Sequence, residues 1–263
     1  IIMENLLLHG DCLELMKEIP DNTVDMVLCD LPYGVLRSEK AKWDKVIPMD
    51  KLWEQYERVC KDKANIVLFG QGMFSAKVMM SKPKFWRYNL VWYKECVSGF
   101  LDANRRPLPC HEDIIVFTNG GGYGKTYNPQ MIKVGWHLRN HTHTDIGKPD
   151  RTNNCYGNFK GAPTFVSDKK FPRSIISFKK RDGQLMLHPT EKPVALLRYL
   201  IKTYSEKGDV VLDNTMGCGS TCVACAIEKR SYIGIEKEQK YYDIAKKRIE
   251  MLKKEPEFDF DYE

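Results

Sequence analysis

Asp30-Leu31-Pro32-Tyr33-Gly34 places a carboxylate, a rigid ring and an aromatic face next to one another, directly behind an apolar run of strand length, Val24 to Cys29. In an open α/β sheet, ligands bind outside the carboxyl ends of strands, so this stretch is a candidate reaction site. The aspartate accepts hydrogen bonds. The proline restricts the backbone, so its carbonyl is held still, and the tyrosine offers a flat surface on which a base can stack. On their own, the same five residues also fit a loop in which Asp30 begins a turn and Tyr33 packs.

A second group lies towards the other end. Val210-Val211-Leu212 reads as a buried strand, Asp213 to Thr221 as a glycine turn, the stretch to about Lys229 as a helix, and Tyr232 to Ile235 as a strand ending in Glu236. This is nucleotide-binding βαβ logic. Gly217 and Gly219 would let the backbone approach a ligand, and the helix N-terminus behind them favours an anionic group such as a carboxylate. Glu236 follows about twenty residues on, where an acidic side chain can accept from both ribose hydroxyls. The unit alone does not separate S-adenosylmethionine from a dinucleotide.

The two groups together resemble the β-group DNA amino-methyltransferases. Asp30-Leu31-Pro32-Tyr33 is similar to their D-P-P-Y motif, with Leu31 at the first proline. Asp213 to Thr221 is similar to D-P-F-x-G-x-G-T, with Asn214-Thr215-Met216 in place of P-F-x. Thr190-Glu191-Lys192-Pro193 looks like T-x-K-P, and Gly10-Asp11-Cys12 looks like the G-D segment near the cofactor's adenine ring. The resemblance runs from Leu6 to about Ile249, apart from the variable target region. It implies an α/β fold, a Rossmann-like S-adenosylmethionine-dependent methyltransferase sheet, circularly permuted, with an irregular inserted target-recognition region. Val24–Asp30 and Val210–Asp213 would then lie side by side.

The resemblance also implies roles. Asp30, Pro32 and Tyr33 would be catalytic; by position alone, and not by the resemblance, Phe69 or Trp92 could help to enclose the base. Asp11, Cys12, Asp30, Lys192, Asp213, Thr215, Gly217, Gly219, Ser220, Thr221 and Glu236 would bind S-adenosyl-L-methionine. The partner would be double-stranded DNA with its target base flipped out, and a homodimer is possible, since relatives often form dimers. The aspartate form of the tetrad goes mostly with adenine N6. Cytosine N4 is the alternative target.

The rest of the chain supplies the frame for these groups. Leu6 to His9, Ala64 to Phe69, Arg87 to Tyr93 and Asp113 to Thr118 read as strands. Leu13 to Ile19, Leu52 to Cys60, Phe74 to Ser81, a stretch from Pro193 to about Tyr204, and Tyr241 to Leu252 read as helices, while Asp44 to Asp50 reads as loop. Such alternation predicts a mostly parallel sheet with helices on both faces. From Asn119 to Leu187 periodicity is lost, and twelve Lys or Arg stand against four Asp or Glu, interleaved with aromatics. Cations contact phosphates and aromatics contact exposed bases. The expected organisation is therefore a catalytic half at 3–118, a target-recognition region at 119–187, a cofactor half at 188–254 and an acidic tail at 255–263. Arg105, Arg106, Lys125, Arg139 and Arg151 are the candidate DNA contacts, and the Gly120–Gly122 run is read as a hinge.

The 263 residues suit one large domain or a domain with an insertion, and the net charge of +6 fits a polyanionic partner. No apolar run approaches the roughly 20 residues of a membrane span. Ile1-Ile2 ahead of Met3 is not a targeting segment, and nine cysteines without a secretory signal point to free thiols in a cytoplasmic protein. Three rival readings use other residues. Cys218, Cys222 and Cys225 have the C-x₃-C-x₂-C spacing of a radical S-adenosylmethionine iron–sulfur site, but their turn-and-helix setting suits small core residues. His137, His141 and His143, with Asp145 or Cys155, would form a zinc site only through folding that the sequence does not show, so no metal is expected. A non-catalytic DNA-binding protein with this fold is the third, and an intact Asp30-Pro32-Tyr33 speaks against it.

Overall fold

The computed structural model describes residues 5–35, 43–133, 168–180 and 190–254. It contains two compact units, one formed by residues 1–128 and 174–263 and the other by 129–173. The first holds an eight-stranded sheet. Its strands are β1 (Leu6–His9), β2 (Val24–Cys29), β3 (Cys60–Gly70), β4 (Trp86–Tyr93), β5 (His111–Thr118), β8 (Ile175–Ser177), β9 (Val210–Asp213) and β10 (Ser231–Glu236). The order across the sheet is β1-β10-β9-β2-β3-β5-β4-β8. β5 runs antiparallel to both its neighbours, and every other pairing is parallel. The second unit contributes a two-stranded pair, β6 (Ile132–Lys133) with β7 (Lys169–Lys170).

The strands are continuously apolar because both faces of the sheet are covered. Alternate residues divide between two cores. Val27 and Cys29 of β2, Ile66 and Leu68 of β3, and Ile115 and Phe117 of β5 share one core with α1 (Cys12–Leu15), α2 (Met49–Val59) and α3 (Met73–Ser81). Met26, Leu28, Val67, Phe69, Ile114 and Val116 share the other with α4 (Val194–Tyr204), α5 (Ser220–Ile227) and α6 (Gln239–Lys254). Helix spacing matches this division: α2 buries Leu52, Tyr56 and Val59, and α4 buries Leu196, Leu197, Leu200, Ile201 and Tyr204.

The element pattern read from the sequence holds, with shifted ends. α2 begins at Met49, inside the expected loop, because Pro48 ends the extended chain and its carbonyl accepts from Leu52 N–H at 3.0 Å. Pro193 precedes α4 with ψ 132°, so it stands just outside the helix. The expected helix over Leu13–Ile19 divides into α1 and a 3₁₀ turn, Met16–Glu18. β8 was not expected: its three residues are too few to show a period, and they become a strand only by pairing with β4. The glycine run takes φ of 71°, 76° and 75° at Gly120, Gly121 and Gly122, a left-handed run that side chains resist, and Lys63 Nζ donates to the Gly121 carbonyl at 2.6 Å. No described helix is long and apolar enough to cross a membrane.

Gly234 sets how closely α5 approaches the sheet. A Cβ there would lie 2.4 Å from Met216 Sδ and 2.6 Å from Cys222 Sγ. Gly234→Ala is expected to cost roughly 1–3 kcal/mol by overpacking, read as a lower midpoint in urea with an unchanged slope.

Candidate active site

β2 and β9 pair in parallel, Met26 with Val211 and Val27 with Leu212, so the residues that follow them leave the sheet side by side. From β9 the chain crosses one face through α5 to β10, and from β2 it crosses the other face through α2 to β3. This reversal is the switch point at which open α/β sheets form a crevice. A cleft of about 560 Å³ opens there, lined by Asp11, Cys12, Asp30, Pro32, Tyr33, Lys192, Asp213, Thr215, Gly217, Ser220, Thr221 and Glu236. Residues from both ends of the sequence thus meet in one space.

Thr215 links the two loops. Its hydroxyl donates to the Asp30 carbonyl at 3.0 Å and lies 2.9 Å from Cys29 Sγ. The Asp30 carboxylate is held at both oxygens, by the Tyr33 hydroxyl at 3.0 Å on Oδ1 and by Lys192 Nζ at 2.5 Å on Oδ2. Tyr33 stacks on Phe74, with ring centroids 4.5 Å apart. Asp44 fixes the loop beyond, accepting from Gly34 N–H at 2.9 Å and Val35 N–H at 2.8 Å. Burial raises the Asp30 carboxyl above its ordinary value, although Lys192 pulls it down. Burial opposes the Lys192 charge, but Asp30 and Glu112 outweigh it and raise the ammonium.

The glycine turn is braced from several sides. Gly217 N–H donates to Glu236 Oε2 at 2.9 Å and Glu238 N–H to Oε1 at 2.7 Å, and the Lys237 N–H also supports this carboxylate. Asp11 caps α1 through Leu13 N–H at 3.0 Å and pairs with Lys237 at 3.1 Å. Glu191 accepts from Ser220 at 2.8 Å and from Arg248 at 2.9 Å, tying the segment before α4 to the turn. Tyr56 of α2 donates to Asn214 Oδ1 at 2.6 Å, while Asn214 Nδ2 is buried beside the Cys12 thiol with no nitrogen or oxygen partner among the described residues.

Three expected roles are revised. Gly219 does not line the cleft: its φ is 78°, and a Cβ would lie 2.8 Å from Ala245 Cβ, so its missing side chain admits α6 and not a ligand. Trp92 and Phe69 are both fully buried: Trp92 lies beneath the cleft and donates to the Phe178 carbonyl at 2.8 Å, and Phe69 lies under the Lys192 ammonium, 5.0 Å from its ring centre. Lys125 bonds through its backbone to Lys63, near the amino end of β3, and acts electrostatically on Asp209 ahead of β9. That is the end of the sheet opposite Asp30. Arg105 and Arg106 lie exposed on the β4–β5 loop at the cleft end, each paired with Asp102. Arg139 and Arg151, the candidate zinc residues and the acidic tail fall outside the described residues.

The sequence reading missed Lys94 and Glu112, which also line the cleft and extend the charges around Lys192. Lys94 standing just past a strand end was the one available signal. Cys222 and Cys225 are fully buried on α5, and the described cysteines are all unpaired thiols.

The family described as DNA methylase, N6_N4_Mtase, matches residues 24–247 of the chain. Type II methyltransferase M.HinfI of Haemophilus influenzae is 28% identical over 96% of this chain and 70% of its own length. Type II methyltransferase M.HpaI of Haemophilus parainfluenzae is 26% identical over 94% of this chain and 75% of its own. Among solved structures, the cytosine-N4-specific PvuII DNA methyltransferase superposes with a TM-score of 0.67 at 14% identity, over 93% of this chain and 86% of that one. The M1.HpyAVI–SAM complex superposes with a TM-score of 0.60 at 19% identity, over 92% and 98%. These two likenesses bear on the fold alone.

Asp213 gives the site a measurable effect on stability. Burial pushes its carboxyl up to about 6 from an ordinary value of 3.8. Between those values the folded protein holds a proton that the unfolded chain has lost, so stability falls as pH rises through the window, by roughly 3 kcal/mol when complete. Urea midpoints at pH 4.5 and 7.5 should show Asp213→Asn gaining on the parent protein as pH rises. A pH-independent difference contradicts the assignment.

Proposed function

The chain belongs to the N6/N4 DNA methylase family, and we propose that it transfers a methyl group from S-adenosyl-L-methionine to the exocyclic N6 of an adenine flipped out of double-stranded DNA. The observation that carries this reading is the Thr215–Asp30 contact. It joins the loop that would hold the amine to the turn that would hold the donor, within one cleft. Asp30 at the head of the tetrad favours adenine over cytosine.

The residues present fit the donor. Gly217 offers bare backbone, the Glu236 carboxylate keeps acceptor capacity for a ribose hydroxyl, and Asn214 Nδ2, with only the Cys12 thiol beside it among the described residues, is a buried donor of the kind a polar ligand satisfies. Asp11 and Cys12 would flank the adenine ring. Lys192, Asp213, Thr215, Ser220 and Thr221 would surround the methionine end. When bound, the cofactor supplies a methyl group on a positively charged sulfur, which keeps the electron pair of the broken carbon–sulfur bond.

The protein's own part is to prepare the amine. An aromatic amine is a poor nucleophile because its lone pair is delocalised into the ring. Hydrogen bonds from its N–H groups to the Asp30 carboxylate and the Pro32 carbonyl draw the nitrogen towards sp³ and aim its lone pair. As the nitrogen–carbon bond forms, one N–H becomes acidic, and its proton leaves along the hydrogen bond to Asp30 and on to water. Lys192 and Tyr33 keep the carboxylate in place meanwhile. Tyr33, backed by Phe74, presents its ring to the base, and the buried Trp92 underlies the cleft.

Residues 3–118 and 188–254 serve as the catalytic and cofactor halves in this reading, with the 129–173 unit and its flanks recognising the target. Arg105 and Arg106 on the β4–β5 loop are the described candidates for phosphate contact.

Transfer of tritiated methyl from S-adenosylmethionine to unmethylated duplex DNA, followed by nucleoside chromatography, tests the reading. Label is expected in N6-methyladenine. Label in N4-methylcytosine would move the target to cytosine, and no label would leave a binding protein. Asp30→Ala should lower turnover at least about 1,000-fold while calorimetric binding of the uncharged product S-adenosylhomocysteine stays within about threefold of the parent. Gly217→Val should abolish cofactor binding.

A further inference from the structure

Four charged side chains meet at the cleft in alternating sign. Asp30 contacts Lys192 at 2.5 Å, Lys192 contacts Glu112 at 3.3 Å, and Glu112 contacts Lys94 at 3.2 Å. The side chains of Lys94, Lys192 and Glu112 are only 3%, 8% and 11% exposed. Lys94 and Glu112 come from adjacent strands: Trp92 of β4 pairs with Glu112 of β5, and Lys94 N–H continues the ladder to the Cys110 carbonyl at 2.8 Å. The two residues are fixed by the sheet and not by the loops that carry Asp30 and Lys192.

We propose that Glu112 and Lys94 are positioning residues: Glu112, shared between the two lysines, holds the local charge at zero, so that Lys192 can restrain Asp30 without leaving a net positive charge where the methyl donor binds. The inference rests on the methyl-transfer reading above. Burial works against the Glu112 charge, but Lys192 and Lys94 more than offset it and hold the carboxyl below its ordinary value, so it is ionised at neutral pH. Its Oε2 has no hydrogen-bond partner and faces Lys192 alone among the described residues. Without Glu112, two buried ammonium groups would face one carboxylate. The surplus positive charge would oppose a sulfonium cation arriving in a poorly solvated cleft. It would also draw Lys192 wholly onto Asp30, whose oxygens the amine needs.

The test compares a cationic with a neutral ligand. S-adenosylmethionine carries the sulfonium charge, and S-adenosylhomocysteine lacks the methyl group on sulfur and with it the charge. By calorimetry, Glu112→Gln should weaken S-adenosylmethionine binding at least about tenfold and S-adenosylhomocysteine binding less than about threefold. Lys94→Met in the same chain removes the surplus charge and should restore S-adenosylmethionine to within about threefold of the parent protein. Methyl transfer should follow the same order in kcat/KM. Equal weakening of both ligands with no recovery in the double variant makes the residues structural and overturns the proposal, as does unchanged binding of both. If Glu112→Gln does not fold, Lys94→Met alone is decisive: it leaves a surplus negative charge and should favour the cationic ligand by about threefold, and an unchanged ratio overturns the proposal. A parent protein that binds neither ligand fails the functional reading itself, and this inference with it.

Discussion

The parallel pairing of β2 with β9 is the contact on which the cleft depends. It joins strands from opposite ends of the sequence, and neither loop has a chemical partner without it. Asp30 by itself is a carboxylate at a strand end, and Gly217 by itself is a turn ahead of a helix. Set side by side, they make a crevice whose walls leave the sheet in opposite directions. The apolar alternation along β2 fixes the register: a slip of one residue would carry Met26 and Leu28 to the wrong core and displace Asp30 from Thr215.

Burial at that crevice turns ordinary side chains into constrained ones. Asp30, Asp213 and Glu236 end three neighbouring strands, and the loss of water raises all three carboxyls. Each is stabilised by different means. Asp30 has a lysine and a tyrosine, Glu236 has two backbone N–H groups, and Asp213 has the Thr215 N–H and the Thr221 hydroxyl. Such groups hold their geometry tightly because any movement leaves a buried charge without its partner.

Much of this was legible in the sequence. The strand and helix periods gave the layered sheet, and the tetrad and the glycine turn named about a third of the residues that line the cleft. What escaped was set by tertiary contact. β8 is a strand only because β4 lies beside it. Gly219 reads like a ligand-facing glycine, and only the position of α6 shows that it makes room for Ala245. Lys94 and Glu112 carry no spacing signal, since their partnership with Lys192 arises from cross-strand register. Lys125 looked like its basic neighbours in composition, and the direction of β3 places it at the far end of the sheet.

Both ends of the 129–173 segment join residues that are tied firmly into the first unit. Asn128 donates its N–H to the Thr203 carbonyl at 2.8 Å, with its side-chain amide reaching Lys202, Ser205 and Glu206. On the other side, the Ser174 carbonyl accepts from Val91 N–H at 2.7 Å. With both junctions fixed by backbone bonds in the framework, the two points at which the chain leaves and re-enters the first unit are set by that unit alone.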